Sequence, residues 1–102
     1  MSHRQRNRKR NKHEIRHWWR GDIEDTVTRR FPTAEDAWAY VLGKIRATIR
    51  GFDEYCDAPE CSKKTVVDYE KLKTTLLEKG RIGVVYCQTE SWWHTFDYNK
   101  LK

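Results

Sequence analysis

The side chains best suited to chemistry lie at one end of the chain. Arg4, Arg6, Arg8, Lys9, Arg10, Lys12, Arg16 and Arg20 are opposed within residues 1–20 by Glu14 alone, eight cations against one anion and a net of +7. Residues 21–102 carry the other 13 cations against 14 anions, a net of −1, so the formal charge of +6 belongs to one segment. Arginine presents five donors in a planar fork that matches phosphate, and its charge does not titrate away. Each phosphate it neutralises releases condensed counterions. Gln5, Asn7 and Asn11 are interleaved with the cations and have the amide groups that read base edges. The eight cations are therefore the candidate nucleic-acid-binding residues, for RNA or DNA. A solvated tail or a localisation signal is the plainer alternative.

The second group is aromatic. Five Trp, five Tyr and three Phe stand in 102 residues, and four of the Trp form the pairs Trp18-Trp19 and Trp92-Trp93. Neighbouring residues on a strand point to opposite faces, so one member of each pair belongs to a core and the other to a surface. An exposed indole stacks on a base or anchors a protein interface. Trp18, Trp19 and Trp93 are the candidates, against ordinary sheet packing for any one of them. If Trp93 shares an outer face with a Trp of the first pair, the case for a stacking platform strengthens. In composition, residues 4–16 resemble the arginine-rich arms that fold on structured RNA, a resemblance that implies an RNA partner.

Other constellations carry less. His13-Glu14-Ile15-Arg16-His17 matches HExxH, but a zinc protease needs that motif on a supporting helix with a third ligand. Here it adjoins cations that oppose Zn²⁺. Cys56, Cys61, Cys87 and His94 are the right ligand types for structural zinc, yet the tight two-residue spacing is missing and plain core thiols are the expectation. Ser91, His94 and Asp97 are not a triad, because on a strand His94 and Asp97 point to opposite faces. Residues 51–60 are acidic without an EF-hand pattern and read as a solvated loop or a protein-docking surface. No glycine-rich phosphate loop and no nucleophile elbow occur. The expectation is a non-catalytic protein with no metal and no cofactor.

The elements that must position these groups follow from periodicity. Residues 1–12 hold no apolar side chain after Met1 and are expected to form a disordered basic arm, with one domain over 13–102. Residues 13–20 begin a strand or continue an arm helix, Gly21-Asp22 turns, and Val27, Arg29 and Phe31 alternate with Thr28 and Arg30 as a strand. Thr33 caps a helix over 34–50 whose inner face holds Ala34, Trp38, Val41, Ile45, Thr48 and Phe52, widened by Ala37, Leu42 and Ile49, with Gly51 as terminator. Residues 51–64 are a loop. A second helix spans 66–79 and ends at Lys79-Gly80. Residues 82–88 form a continuous apolar run, expected to be a strand covered on both faces. After a turn near Thr89-Glu90, residues 91–98 alternate. Trp92, His94, Phe96 and Tyr98 share one face and Trp93, Thr95, Asp97 and Asn99 the other.

The order β-(β)-α-α-β-β predicts an α+β domain with two helices on a small antiparallel sheet. No run approaches the ~20 apolar residues of a membrane span. An odd cysteine count without a secretory signal points to a reducing compartment, the cytoplasm. Two functions follow. One is a nucleic-acid-binding accessory protein. The other is a protein-binding modulator of viral or mobile-element type, docking on a larger machine through its exposed Trp residues or the acidic loop. Monomer and homodimer are equally open.

Overall fold

The computed structural model describes residues 11–19, 23–55, 67–86 and 92–101. Four strands and two helices follow one another as β1 (His13–Trp19), β2 (Val27–Phe31), α1 (Ala34–Tyr55), α2 (Tyr69–Lys79), β3 (Arg81–Tyr86) and β4 (Trp92–Lys100), with a 3-10 turn at Ile23–Asp25 before β2. The strands form one antiparallel sheet in the order β2-β1-β4-β3, and the fold is α+β. The first and last strands are therefore its two central members. They pair His13 with Lys100, His17 with Phe96 and Trp19 with His94.

One face of the sheet carries both helices. Ile15 from β1, Phe96 from β4 and Ile82 and Val84 from β3 meet Ala37, Trp38, Val41 and Ile45 from α1 and Leu76 from α2. Three- and four-residue spacing puts the α1 set on one stripe, and strand alternation puts the sheet set on one face. The Thr33 hydroxyl accepts the Asp36 N–H at 3.0 Å and caps α1 as expected.

The helix boundaries differ from expectation at two points. Gly51 does not stop α1, which runs on to Tyr55. Helix termination by glycine uses the left-handed region, and Gly80 is the one described glycine with positive φ, at 89°. The stretch expected to be a loop therefore starts as helix, and the rest of it, with Cys56 and Cys61, lies outside the described residues. α2 begins at Tyr69 and not at 66, because the Asp68 carboxylate accepts the Lys71 N–H and caps it. At its other end the Gly80 N–H reaches the Leu76 carbonyl at 2.9 Å, as Lys79-Gly80 foretold.

β3 is also corrected. It is an edge strand covered on one side only: Ile82 and Val84 are buried, while Val85 is 45% exposed. An apolar run marks burial on both faces only if a layer exists on each, and both helices lie on the same side. Gly21-Asp22, the turn near Thr89-Glu90 and Cys87 lie outside the described residues.

Candidate nucleic-acid interface

β1 settles the choice between strand and arm helix, and its alternation sorts the motif residues. His13, Ile15, His17 and Trp19 face the helices; Glu14, Arg16 and Trp18 face the other way. The HExxH residues are thus split between two faces of a strand, with the two histidines four strand residues apart, and cannot form a zincin site. Among the described residues no group of three or more His, Cys, Asp or Glu is placed to hold a metal. Of the proposed triad, Ser91 lies outside the described residues, while His94 turns inward and Asp97 outward. From Trp93 to Asn99 the expected alternation of β4 is the observed one.

On the covered face, three histidines are held by hydroxyls or by one another. Tyr40 Oη lies 2.7 Å from His17 Nε2, and His17 Nδ1 lies 2.9 Å from His94 Nε2. His13 Nδ1 contacts Tyr98 Oη at 2.6 Å. His94 stacks on Trp19 with centroids 4.3 Å apart and packs on Phe96 at 4.2 Å. The His17–His94 contact needs one donor and one acceptor nitrogen, so it requires that at least one ring be neutral. Burial, then the charge of His17 and then that of Lys44, lowers the His94 pKa to about 4. Burial, followed by Lys44 and Arg29, also lowers that of His17. Burial raises the Tyr40 hydroxyl, with Arg29 opposing, and raises the Tyr98 hydroxyl. The His17–His94 contact pins β1 against β4, and the Tyr40 hydroxyl ties His17 to α1. Trp19, stacked inside, drops out of the set of surface indoles.

Among the described residues, the opposite face carries no helix. Along it lie Arg30 and Thr28 from β2, Glu14, Arg16 and Trp18 from β1, Thr95, Asp97 and Trp93 from β4, and Arg81, Gly83 and Val85 from β3. Glu14 accepts from Arg30 at 3.0 Å, and Asp97 is gripped by two nitrogens of Arg81, at 2.6 and 2.9 Å. Hydrogen bonding to Asp97, then its charge, pushes the Arg81 pKa further up. The same guanidinium sits 5.5 Å above the Trp18 ring. Arg16 joins no ion pair among the described residues and is exposed. It borders an open polar depression of about 340 Å³ together with Lys79, Arg81 and Asp97.

Trp93 is 47% exposed, and its neighbour across the strands, Val85, is 45% exposed. The Trp93 indole reaches over Gly83, where a Cβ would meet Nε1 at 2.5 Å. Trp18 and Trp93 thus share the helix-free face, meeting the condition set by the sequence. Of the eight candidate cations, Lys12 and Arg16 are described. Lys12 is exposed, and its carbonyl accepts the Leu101 N–H at 2.6 Å where residues 1–12 join the sheet. Arg4, Arg6, Arg8, Lys9, Arg10 and Arg20 lie outside the described residues.

The Tyr40–His17–His94 chain was missed from sequence. Its only trace is parity: His94 alternates with Trp92, Phe96 and Tyr98, and His17 with Ile15 and Trp19. No protein-family model matches the chain, and no curated protein or solved structure matches it.

Proposed function

We propose that this protein is a non-catalytic nucleic-acid-binding accessory protein. Its basic segment grips phosphates, and the helix-free sheet face lies against the same ligand. The observation that carries this reading is continuity. Residues 1–12, with six cations and no anion, lead into a central strand, and the outward residues of that strand, Arg16 and Trp18, extend a cationic and aromatic track along the sheet. Polyphosphate is the natural counterpart of such charge segregation. A cytoplasmic setting suits this ligand.

The test is affinity for RNA and DNA across a salt series, for the full chain and for a chain lacking residues 1–12. That truncation removes six cations. If they contact phosphates, the slope of log K against log salt falls by about 5 on duplex and about 4 on single strands. No binding by the full chain at low salt overturns the reading.

A second reading, a modulator docking on a larger protein, draws on the adjacent exposure of Trp93 and Val85. Exposed aromatics are common anchors of protein interfaces. It predicts a polypeptide partner whose binding survives loss of residues 1–12.

A further inference from the structure

The helix-free face carries more than generic charge. A glycine in an edge strand lowers its stability and often marks a place where another group approaches closely. At Gly83 that group is Trp93. The Nε1 edge of the indole takes up the space that any side chain at 83 would need, so the glycine sets where the ring rests. The ring is nonetheless 47% exposed. A large aromatic that is both located and half open has little ordering entropy left to lose when something stacks on it. Beside it Trp18 lies under the Arg81 guanidinium, itself fixed by two bonds to Asp97. Arginine planes and indoles both stack unpaired bases. One row away stands Arg16, exposed and in none of the ion pairs among the described residues.

We infer that this face is a platform for unpaired nucleotides, with Trp93 as the base-stacking residue and Arg16 as the phosphate-contacting residue. The inference rests on the nucleic-acid reading above and adds the class of strand. Bases inside a duplex are already stacked and offer the indole no free ring, whereas a single strand offers one per nucleotide. Charge favours this occupant over a second copy of the chain. Arg16, Arg30 and Arg81 outnumber Glu14 and Asp97 on the face, and six further cations precede β1 in the sequence, so two such chains repel while a polyanion is drawn in.

The experiment measures binding of the full chain to oligouridylate, to oligothymidylate and to a duplex of equal length, at one fixed salt concentration. Trp93→Ala, Trp93→Phe, Gly83→Val and Arg16→Ala are compared with the wild type, and thermal melting confirms that each is folded. Loss of one stacked base corresponds to a roughly five- to 150-fold drop in affinity. Trp93→Ala is expected to lose single-strand affinity by roughly tenfold or more while duplex affinity stays within about twofold. Trp93→Phe restores most of the loss. Gly83→Val, which keeps the indole but displaces it, reproduces the loss. Arg16→Ala weakens single-strand binding by a smaller factor and lowers its salt slope by about 0.7. Similar losses on oligouridylate and oligothymidylate mark a site blind to the sugar, and a larger loss on one assigns the strand.

If Trp93→Ala binds all three probes as the wild type does, the platform is wrong, although salt-sensitive binding through residues 1–12 would leave the broader reading in place. If the full chain binds none of the probes at low salt, both fail. If Trp93→Ala converts a dimer to a monomer and leaves binding unchanged, the face joins two copies and the inference is overturned.

Discussion

The two faces of the strand pair β1–β4 both carry tryptophan and otherwise differ in composition and behaviour. Inward, His13, His17, Trp19, His94 and Phe96 form a stacked, hydrogen-bonded layer beneath the helices. Outward, Arg16 and Trp93 are exposed, Trp18 is partly buried beneath Arg81, and the carboxylates are held by arginines. The contrast shows that chemistry read from residue type depends on strand parity. A His-Glu pair that would be one site on a helix becomes, on a strand, a histidine on the helix-covered face and a buried carboxylate paired with Arg30 on the other. Two adjacent tryptophans likewise become one packing residue and one candidate binding residue.

The sharpest way to break this comparison is to truncate one aromatic on each face. Phe96, fully buried on a central strand, should cost about 3–5 kcal/mol when replaced by alanine. Trp93→Ala should cost about 1 kcal/mol or less, because its ring is half exposed. Urea unfolding of the two variants gives both numbers, and similar costs would mean that the outer face is also structural.

The next effect is on pH. The unfolded chain protonates His94 near 6.5, while in the fold its pKa is lowered to about 4. Between those values the unfolded state binds more protons. Stability is therefore full above about pH 6.5 and falls as pH drops toward 4, by on the order of 2–3 kcal/mol. The lowered pKa of His17 acts in the same direction. Denaturant midpoints across this range should fall steadily in the wild type, and less steeply in His94→Phe. A flat wild-type profile would show that the pair is not buried in its neutral form.

Smaller effects separate a part-buried hydrogen bond from a solvent-exposed ion pair between the helices. Tyr40→Phe removes the hydroxyl that meets His17 and should cost about 1 kcal/mol. Neutralising the exposed Glu35–Lys73 pair should cost under about 0.5 kcal/mol, with high salt erasing the difference. Chemical denaturation at low and high salt checks both.

The parts of this architecture legible in the sequence are those set by local period. The α1 face, the alternation of β4 and the Lys79-Gly80 helix end all follow from spacing within one element. What was not legible depends on partners. Gly51 looks like a stop, yet nothing in its neighbourhood sets whether it turns left-handed. Val85 belongs to an apolar run, but its exposure follows from both helices lying on the other side. The His17–His94 bond joins residues 77 apart and exists only because β1 and β4 are neighbours. In the candidate interface, parity anticipated that one Trp of each pair would face outward. The fit of Trp93 over Gly83 depends on the β3–β4 register, which spacing alone does not supply.

The central claim, that the helix-free face and not the helical face meets nucleic acid, is tested most directly by the indole N–H resonances in nitrogen-15 spectra during titration with a single-stranded oligonucleotide. Saturating ligand is predicted to shift the Trp93 and Trp18 indoles together with the amides of Arg16 and Gly83, leaving Trp19 and Trp38 in place. Shifts that instead concentrate at Trp38 and along α1 and α2, with Trp93 unmoved, would contradict the account.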